Sequence, residues 1–195
     1  WSSDVCSSDL GCKLKTLPGI YEIINGNVNI SQLRDVDIND LLGRDPVKLN
    51  NENINDYIND KVILVTGGGG SIGSELCRQI VKFNPKKLII LDIYENNAYD
   101  LQMELKYKYP NLDMEVVIAS IRDMTRLKEV FETYRPYVVF HAAAHKHVPL
   151  MEANPREAIK NNIFGTYNLA KCSDMYNVKR FVRSEERRVG KECME

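Results

Sequence analysis

The sequence contains no long hydrophobic run and carries almost no net charge. Its apolar stretches are far shorter than the ~18 residues that a membrane-spanning helix needs, so we expect no bilayer-crossing segment within it. The formal net charge is −1, which provides no overall field to attract nucleic acid or an anionic membrane. The start of the chain does not have the pattern of a secretory signal. We therefore expect a cytoplasmic protein with no nucleic-acid partner.

Cysteine is sparse, with five residues scattered along the chain and no CxxC pair. Such a set is typical of reduced thiols, and it argues against a disulfide framework and against a zinc site built on cysteine pairs. The helical positions of Cys77 and Cys172 favour packing over a nucleophilic role. With 44% hydrophobic and 27% charged residues, the 195-residue chain has the composition of one globular domain with an appendage.

Apolar runs alternate with helical patterns from Lys61 onward. Strands are predicted at Lys61–Gly67, Lys87–Asp92, Met114–Ser120, Tyr137–Ala143 and Val178–Val182. Short strands that are apolar throughout are buried on both faces, as in parallel sheets covered by helices. The alternation predicts an α/β fold with a doubly wound parallel sheet, truncated after the fifth strand. The helix before the fifth strand is predicted to begin with Asn154 as its N-cap and Pro155 at its first position.

The segments outside these repeats differ in composition. Residues 11–60 are rich in Asn and Asp and have only short apolar clusters, so we predict an N-terminal arm with one or two short helices, packed on the sheet domain. Residues 1–10 and 183–195 resemble translated adapter sequence, and we expect both to be non-native. The predicted organisation is a non-native leader (1–10), the arm (11–60), an incomplete Rossmann domain (61–182) and a non-native tail (183–195).

Five glycines occur within Gly67–Gly73, between the first predicted strand and a helix. In the spacing Gly67-x-x-Gly70-x-x-Gly73, the first glycine allows a tight turn and the second lets backbone N–H groups approach a pyrophosphate. The third lets the helix pack against the strand. The other phosphate motif, GxxxxGK[ST], is excluded because Ser74 occupies the lysine position. A turn that binds nothing is the competing interpretation; we expect a dinucleotide pyrophosphate.

Polar residues also follow the second and third predicted strands. Asp92 closes the second strand 19 residues after Gly73. A carboxylate there accepts hydrogen bonds from the adenosine ribose and repels a 2′-phosphate, so we expect NAD in preference to NADP. Ser120 ends the third predicted strand and Ile121 follows it, where adenine is expected, and either the serine side chain or the Ile121 backbone contacts the base. Asp123 is interpreted either as a cofactor contact or as the N-cap of the next helix.

The segment His141–Glu152 leaves the fourth predicted strand beside the switch point at which such sheets bind ligands. The side chains of Ala142–Ala144 are small enough for a cofactor to lie against the backbone. The three histidines of this segment do not converge on one point at their spacing, so we predict no metal site. Lys146 is interpreted either as a cation that binds a substrate phosphate or hydroxyl, or as an exposed loop lysine.

Asn162 and Thr166 are four residues apart and are therefore predicted on one face of the next helix, with Ile159 and Ile163 on its packing side. Asn162 either holds backbone or water near the reaction centre or is a helix-surface amide. Lys146 is thus the candidate catalytic residue and Asn162 a supporting one. The candidate cofactor-binding residues are Thr66, Gly67, Gly70, Ser71, Ile72, Gly73, Asp92, Ser120, Ile121, Ala142, Ala143 and Ala144.

Three long motifs, TGGGGSIGSEL, FHAAAHKHVPLMEANP and NNIFGTYNLA, occur in this order. Together they closely resemble the extended short-chain dehydrogenase/reductases that act on nucleotide sugars. More narrowly, they resemble the UDP-N-acetylglucosamine 4,6-dehydratases of polysaccharide biosynthesis. The stretch Arg34–Val47 is similar to the segment before the catalytic domain in the large membrane-bound members. The resemblance covers about residues 11–182.

The resemblance implies a mechanism in which tightly held NAD oxidises the sugar C4 hydroxyl, water is lost across C5 and C6, and the hydride returns at C6. It also implies a nucleotide-sugar substrate, a parent protein that is anchored upstream at the cytoplasmic face of the inner membrane, and self-association.

In that family most catalytic groups follow the fifth strand, in a Ser/Thr-Thr-Asp-Lys segment, where this chain has Arg183-Ser184-Glu185-Glu186. We therefore expect the chain to lack the main catalytic segment and to be inactive. The alternatives are an epimerase or reductase of the same superfamily, and a non-catalytic dinucleotide-binding module. The sequence that distinguishes the enzymes is expected beyond Val182.

Overall fold

The computed structural model describes residues 15–16, 34–35 and 51–184. The chain divides into two compact units, Trp1–Leu49 and Asn50–Glu195. In the first unit, β1 (Lys15–Thr16) pairs antiparallel with β2 (Arg34–Asp35). Both strands fall within the predicted arm. The predicted leader, the remainder of the arm before residue 51 and the tail beyond residue 184 lie outside the described residues.

The second unit alternates strands and helices in the predicted order. Its strands are β3 (Val62–Thr66), β4 (Lys87–Asp92), β5 (Met114–Ile118), β6 (Val138–His141) and β7 (Arg180–Arg183). Its described α-helices are α1 (Asn51–Ile58), α2 (Ser71–Ile80), α3 (Glu95–Lys108), α4 (Met124–Tyr134), α5 (Val148–Ala153), α6 (Pro155–Ala158) and α7 (Thr166–Met175). Among these helices, none is both long and apolar enough to cross a bilayer.

The five strands of this unit form a parallel sheet in the order β5-β4-β3-β6-β7. The chain therefore starts at the centre, moves outward through β4 and β5, and then crosses to the other side of β3. Parallel neighbours need crossover connections, which the intervening helices provide. The direction of winding reverses between β3 and β6, and ligands bind at the carboxyl ends of strands at such a point. This topology confirms the predicted doubly wound sheet.

Alternate residues of each strand enter opposite layers of the core, as the two-residue period of a strand requires. In β3, Leu64 packs in the layer formed with α4 and α7, whereas Ile63 and Val65 pack in the layer formed with α1, α2 and α3. Because both faces are covered by helices, the central strands are apolar throughout. This is the physical reason why the apolar runs predicted the sheet correctly.

Helix α1 packs on the sheet of the second unit. Ile58 is buried in the layer that contains α2 and α3. The Arg180 guanidinium of β7 lies 3.9 Å from the centre of the Tyr57 ring, a cation–π contact. The boundary between the two units accordingly falls before this helix, at Asn50.

The helical segment before β7 differs from the single regular helix that the sequence predicts. A π-helix, Ile159–Gly165, joins α6 to α7. The Asn154 side chain does not cap α6, because its amide donates to the Leu150 carbonyl oxygen at 3.0 Å instead. Asn154 and Pro155 do occupy the predicted N-cap and first helical positions, but the Asn154 side chain makes no capping hydrogen bond.

Two predicted packing residues of this segment are exposed. Ile159 is 45% and Ile163 is 58% exposed, so their assignment to the packing side is wrong. Gly165 is the buried residue of the π-helix, and a Cβ on it would lie 2.7 Å from the Ile121 side chain. The wider turn of a π-helix changes which residues face the sheet, and a regular 3.6-residue period therefore assigns the wrong face.

Strand β7 lies at one edge of the described sheet, and all four of its residues are exposed. The prediction of a buried fifth strand is correct for its pairing but not for its burial. Arg183, assigned to the tail, completes the strand opposite His141. The Ser184 N–H then donates to the His141 carbonyl oxygen at 2.9 Å. The β7 backbone therefore continues the ladder to the end of β6.

The central strand generates a stability prediction. Leu64 is fully buried, so we expect Leu64→Ala to lower the free energy of unfolding by about 2–5 kcal/mol through the cavity it leaves. Urea unfolding followed by circular dichroism measures this change. Tyr107→Ala is the matched control, because Tyr107 is 88% exposed and its loss should change stability by less than about 0.5 kcal/mol. Equal effects of the two substitutions would contradict the assigned core.

Candidate functional site

A cleft of about 410 Å³ opens at the carboxyl ends of β3, β4, β5 and β6. Lys146 lies on its wall. Thr66 and Gly73 do not line it and lie behind its surface. The other ten predicted cofactor contacts do line it: Gly67, Gly70, Ser71, Ile72, Asp92, Ser120, Ile121, Ala142, Ala143 and Ala144.

The turn between β3 and α2 packs against the loop after β6, backbone against backbone. Gly67 has a φ of +70°, and a Cβ on it would lie 2.7 Å from backbone atoms of Ala142 and Ala143. The N–H groups of Gly67 and Gly68 both donate to the Leu91 carbonyl oxygen, at 2.8 and 3.3 Å. Conformation and space therefore both exclude a side chain at Gly67.

The other two glycines of the motif act differently. A Cβ on Gly73 would overlap the Gly67 carbonyl oxygen, so this glycine lets α2 start directly against the turn. Gly70 has a φ of −75°, and a Cβ on it would meet only that same oxygen, at 3.2 Å, with the cleft on its open side. Among the described residues, no side chain caps α2. Its first-turn N–H groups and positive dipole end are therefore suited to an anion.

Asp92 holds the glycine turn and still borders the cleft. Its carboxylate oxygens accept from the Gly69 N–H and the Tyr94 N–H, each at 2.8 Å. Asp92 is 8% exposed. Each carboxylate oxygen can accept a second hydrogen bond. The side chain can therefore fix the turn and accept a hydrogen bond from a ligand hydroxyl at the same time.

The loop after β5 closes one end of the cleft. The Ser120 Oγ accepts from the Arg122 backbone N–H at 3.2 Å and from the Arg122 Nε–H at 3.4 Å. The Arg122 guanidinium also donates to Glu157 of α6 at 2.7 Å. From below, the Asn168 side chain of α7 donates to the Arg122 carbonyl oxygen at 3.1 Å. Two helices thus hold this loop in place.

Asp123 is the residue for which the sequence leaves two interpretations open. Its carboxylate accepts from the Arg126 backbone N–H at 3.0 Å and caps α4. It is not among the residues that line the cleft. The N-cap interpretation is therefore the one that the structure supports.

Asn162 forms two hydrogen bonds with the backbone of the loop after β6. Its Oδ1 accepts from the His145 N–H at 2.9 Å, and its Nδ2 donates to the His145 carbonyl oxygen at 2.8 Å. The neighbouring Asn161 donates to the Ala143 carbonyl oxygen at 3.4 Å. Two consecutive residues of the π-helix therefore fix the loop that carries Lys146. Of the two interpretations of Asn162, the structure supports the one in which its side chain holds the backbone.

His141 lies beneath the cleft and is 2% exposed. Its Nδ1 is 2.8 Å from the Thr66 hydroxyl and its Nε2 is 2.9 Å from the Thr166 hydroxyl. Burial, with a smaller contribution from the nearby Arg183 charge, lowers the pKa of His141 to about 4. The ring is therefore neutral at pH 7, with one nitrogen donating to a threonine and the other accepting from one.

The His141 ring and the Cys77 and Cys172 thiols are engaged in contacts inside the protein. Both ring nitrogens of His141 are engaged by threonines, and within the described ranges no group of three or more His, Cys, Asp or Glu residues is placed to hold a metal ion. Cys77 is buried, and this burial raises the pKa of its thiol to about 12. Burial likewise raises the pKa of Cys172. Both thiols pack in the core, in agreement with the sequence prediction.

Several lining residues were not predicted from the sequence. These are chiefly Gly69, Tyr94, Asn97, Arg122 and Asn161. Gly69 carried a signal, because it lies inside the glycine motif, and a Cβ there would be 2.8 Å from the Asn97 Cβ. Arg122 also carried a signal, because it directly follows Ile121, whereas Asn161 carried none, because it reaches the loop after β6 through a contact between segments that are distant in sequence.

The sheet topology and the glycine turn define the class of this protein: a Rossmann domain of the NAD(P)-binding short-chain dehydrogenase/reductase type. The chain belongs to the polysaccharide biosynthesis protein family, whose sequence profile matches residues 63–185.

Two relatives illustrate the similarity, and the name of the second states a reaction. The chain is 47% identical over 179 residues to the capsular polysaccharide biosynthesis protein CapD of Staphylococcus aureus, covering 91% of this chain and 30% of that protein. It is 35% identical to the UDP-N-acetylglucosamine 4,6-dehydratase (inverting) of Campylobacter jejuni, covering 64% of this chain and 36% of the relative. The chain thus spans about a third of the length of these relatives.

A solved structure supports the same fold. The UDP-glucose-4-epimerase of Stenotrophomonas maltophila, with bound NAD and formylated UDP-arabinopyranose, superimposes with a TM-score of 0.59 at 26% identity. The match covers 65% of this chain and 37% of that enzyme. The fold of this chain is therefore similar to that of an NAD-bound epimerase.

The buried His141 generates a prediction about pH. In the unfolded chain the ring takes up a proton below its ordinary pKa of 6.5, whereas the folded ring resists protonation until about pH 4. Its contribution is fully present above pH 6.5 and is lost as the pH falls towards 4. From pH 7 to pH 5 we expect a loss of about 2 kcal/mol of unfolding free energy that His141→Gln does not show.

Urea unfolding at the two pH values measures this difference. His147→Gln is the control, because His147 is exposed and its replacement should leave the pH dependence of the wild-type protein unchanged. If His141→Gln lost as much stability on acidification as the wild-type protein, the assignment of a neutral buried ring would be wrong.

Proposed function

We propose that this chain is the NAD-binding part of a nucleotide-sugar 4,6-dehydratase, a lyase of polysaccharide biosynthesis. The observation that carries the proposal is the glycine turn, in which Gly67 and Gly73 remove side chains from the backbone and the uncapped N-terminus of α2 faces the cleft. A main-chain cradle beside a helix N-terminus fits a pyrophosphate. The 4,6-dehydratase relative at 35% identity supports the reaction class.

The residues present fit a dinucleotide laid across the strand ends. The N–H groups at the start of α2 would hold the pyrophosphate, and Asp92 would accept from the ribose hydroxyls. Ser120 and Ile121 would border the adenine. The nicotinamide end would lie along the Ala142–Ala144 backbone, where small side chains leave room. When bound, NAD supplies a hydride acceptor that returns the hydride later in the same turnover.

The substrate is proposed to bind beside Lys146. This residue lines the cofactor cleft and also a second cavity of about 410 Å³ whose wall includes Val148, Met151 and Pro155. A cation at this junction suits a phosphate or hydroxyl of a nucleotide sugar. Asn162 would position Lys146 through its paired hydrogen bonds to the adjacent His145 backbone.

A nucleotide-sugar epimerase is the second candidate function. It is supported by the similarity to the Stenotrophomonas maltophila epimerase, which contains NAD and a UDP-sugar. The two reactions start with the same oxidation of a sugar hydroxyl and differ only in their later steps, so the shared cofactor cleft is compatible with either one. The family resemblance also carries the expectations of a cytoplasmic location, a membrane anchor in the longer protein and self-association.

Substitution of Gly70 tests the cofactor cradle directly. A Cβ on Gly70 meets only one backbone oxygen, at 3.2 Å, so we expect Gly70→Ala to fold after a shift of a few tenths of an ångström in the turn. The added methyl group would hold the pyrophosphate away from the backbone, and we expect NAD⁺ affinity to fall by about tenfold or more. Isothermal titration calorimetry measures the affinity, and thermal unfolding checks the fold.

NADP⁺ is the second ligand in this experiment. Because Asp92 borders the expected ribose position, we expect wild-type protein to bind NADP⁺ more weakly than NAD⁺. Asn111→Ala, at an exposed turn away from the cleft, is the control and should bind NAD⁺ like the wild type. Tighter binding of NADP⁺, or unchanged NAD⁺ affinity in Gly70→Ala, would contradict the proposed orientation.

The reaction itself calls for a separate measurement. We expect the 195-residue chain to leave UDP-N-acetylglucosamine unchanged in the presence of NAD⁺, because the Ser/Thr-Thr-Asp-Lys segment of the family is replaced by Arg183-Ser184-Glu185-Glu186. The same incubation with the longer protein should yield a 4-keto-6-deoxy sugar, detected by mass spectrometry. A 4-keto product formed by the 195-residue chain would disprove the assigned location of the catalytic groups.

A further inference from the structure

The hydrogen-bonding groups at the β5 end of the cleft decide which base can bind there. Neighbouring strands are about 4.8 Å apart. A dinucleotide whose pyrophosphate lies at the glycine turn of β3 and whose ribose lies at Asp92 of β4 therefore places its base at the end of β5. Among the described residues that line the cleft, Asp92 is the one carboxylate. Nearby, the Asp123 carboxylate caps α4, and Glu157 is paired with Arg122 and Lys160.

Ser120, which lines the cleft directly after β5, is placed to meet the edge of the base. A serine hydroxyl has two acceptor lone pairs and one donor hydrogen. Both lone pairs are used, since Arg122 donates to this oxygen from its backbone N–H at 3.2 Å and from its Nε–H at 3.4 Å. Glu157 and Asn168 hold Arg122 in that position. The hydroxyl can therefore offer a ligand only its hydrogen.

From this geometry we infer that the cleft does not select the 6-amino group of adenine, because Ser120 faces the base as a hydrogen-bond donor. A donor can pair with N1 of adenine or with O6 of hypoxanthine, but it cannot pair with the amino group, which is itself a donor. A dinucleotide that carries hypoxanthine in place of adenine therefore binds with similar affinity. This inference rests on the proposed binding of NAD.

Calorimetric titration of the 195-residue chain with NAD⁺ and with nicotinamide hypoxanthine dinucleotide tests the inference. The two bases exchange one neutral hydrogen bond for another, so their dissociation constants should agree within about fivefold. A preference for NAD⁺ above about tenfold would overturn the inference. It would show that the base edge is recognised by an acceptor, or by the Ile121 N–H acting on N1.

Two substitutions at the same position sharpen the result. Ser120→Asp introduces an acceptor that pairs with the amino group and repels O6, so NAD⁺ should now be preferred by about tenfold or more. Ser120→Ala removes the donor and should weaken both dinucleotides by the same factor, about fivefold. Asn111→Asp adds the same charge at an exposed turn and should leave the ratio unchanged. Thermal unfolding followed by circular dichroism checks that each variant folds.

The outcomes separate this inference from the proposed function. If the wild-type chain binds neither dinucleotide, the proposed NAD site is wrong and the inference is wrong with it. If it binds NAD⁺ alone, the proposed site stands and only the inference is overturned. If Ser120→Asp does not fold, Ser120→Ala decides: a parallel loss for both dinucleotides supports a donated hydroxyl, and a loss for NAD⁺ alone contradicts it.

Discussion

The close approach of two backbones at the centre of the sheet is the constraint on which the site depends. Strands β3 and β6 are paired so that Thr66 lies opposite His141, and the Ala142 N–H continues the ladder by donating to the Thr66 carbonyl oxygen at 2.9 Å. One residue later the chains separate, with Gly67 still so near Ala143 that no Cβ fits between them. The floor of the cleft is consequently main chain, and the first-turn N–H groups of α2, which no described side chain caps, are the donors that it offers to a ligand.

Side chains maintain this approach from below and from the sides. His141 joins β3 to the start of α7 through Thr66 and Thr166, and the Asp92 carboxylate joins the glycine turn to the start of α3. Each of these bonds is buried or partly buried, where a lost partner costs more than the bond itself contributes. The geometry of the cleft is thus set by polar groups, and the stability of the domain by the apolar layers on both faces of the sheet.

The sheet and the glycine turn could be predicted from the sequence because each has a local cause. Strands buried on both faces are apolar throughout, and the turn needs glycine at positions such as Gly67, where φ is positive and no space remains for a Cβ. Helix α5, the π-helix and the bond between Arg122 and Glu157 could not be predicted. They depend on contacts between segments far apart in the chain. In addition, exposed residues such as Ile163 are assigned to the packing face when a regular helical period is assumed.

The π-helix makes the length of its segment as important as its composition. Asn161 and Asn162 bind one loop, and Thr166 binds His141, because the wide turn brings side chains from either end of it to the same side of the sheet. An α-helix advances 100° and 1.5 Å per residue. Deleting any single residue between Asn162 and Thr166 would restore a regular helix and rotate Thr166 away from the His141 ring. Insertions and deletions in this segment are therefore far more disruptive than substitutions of the same residues.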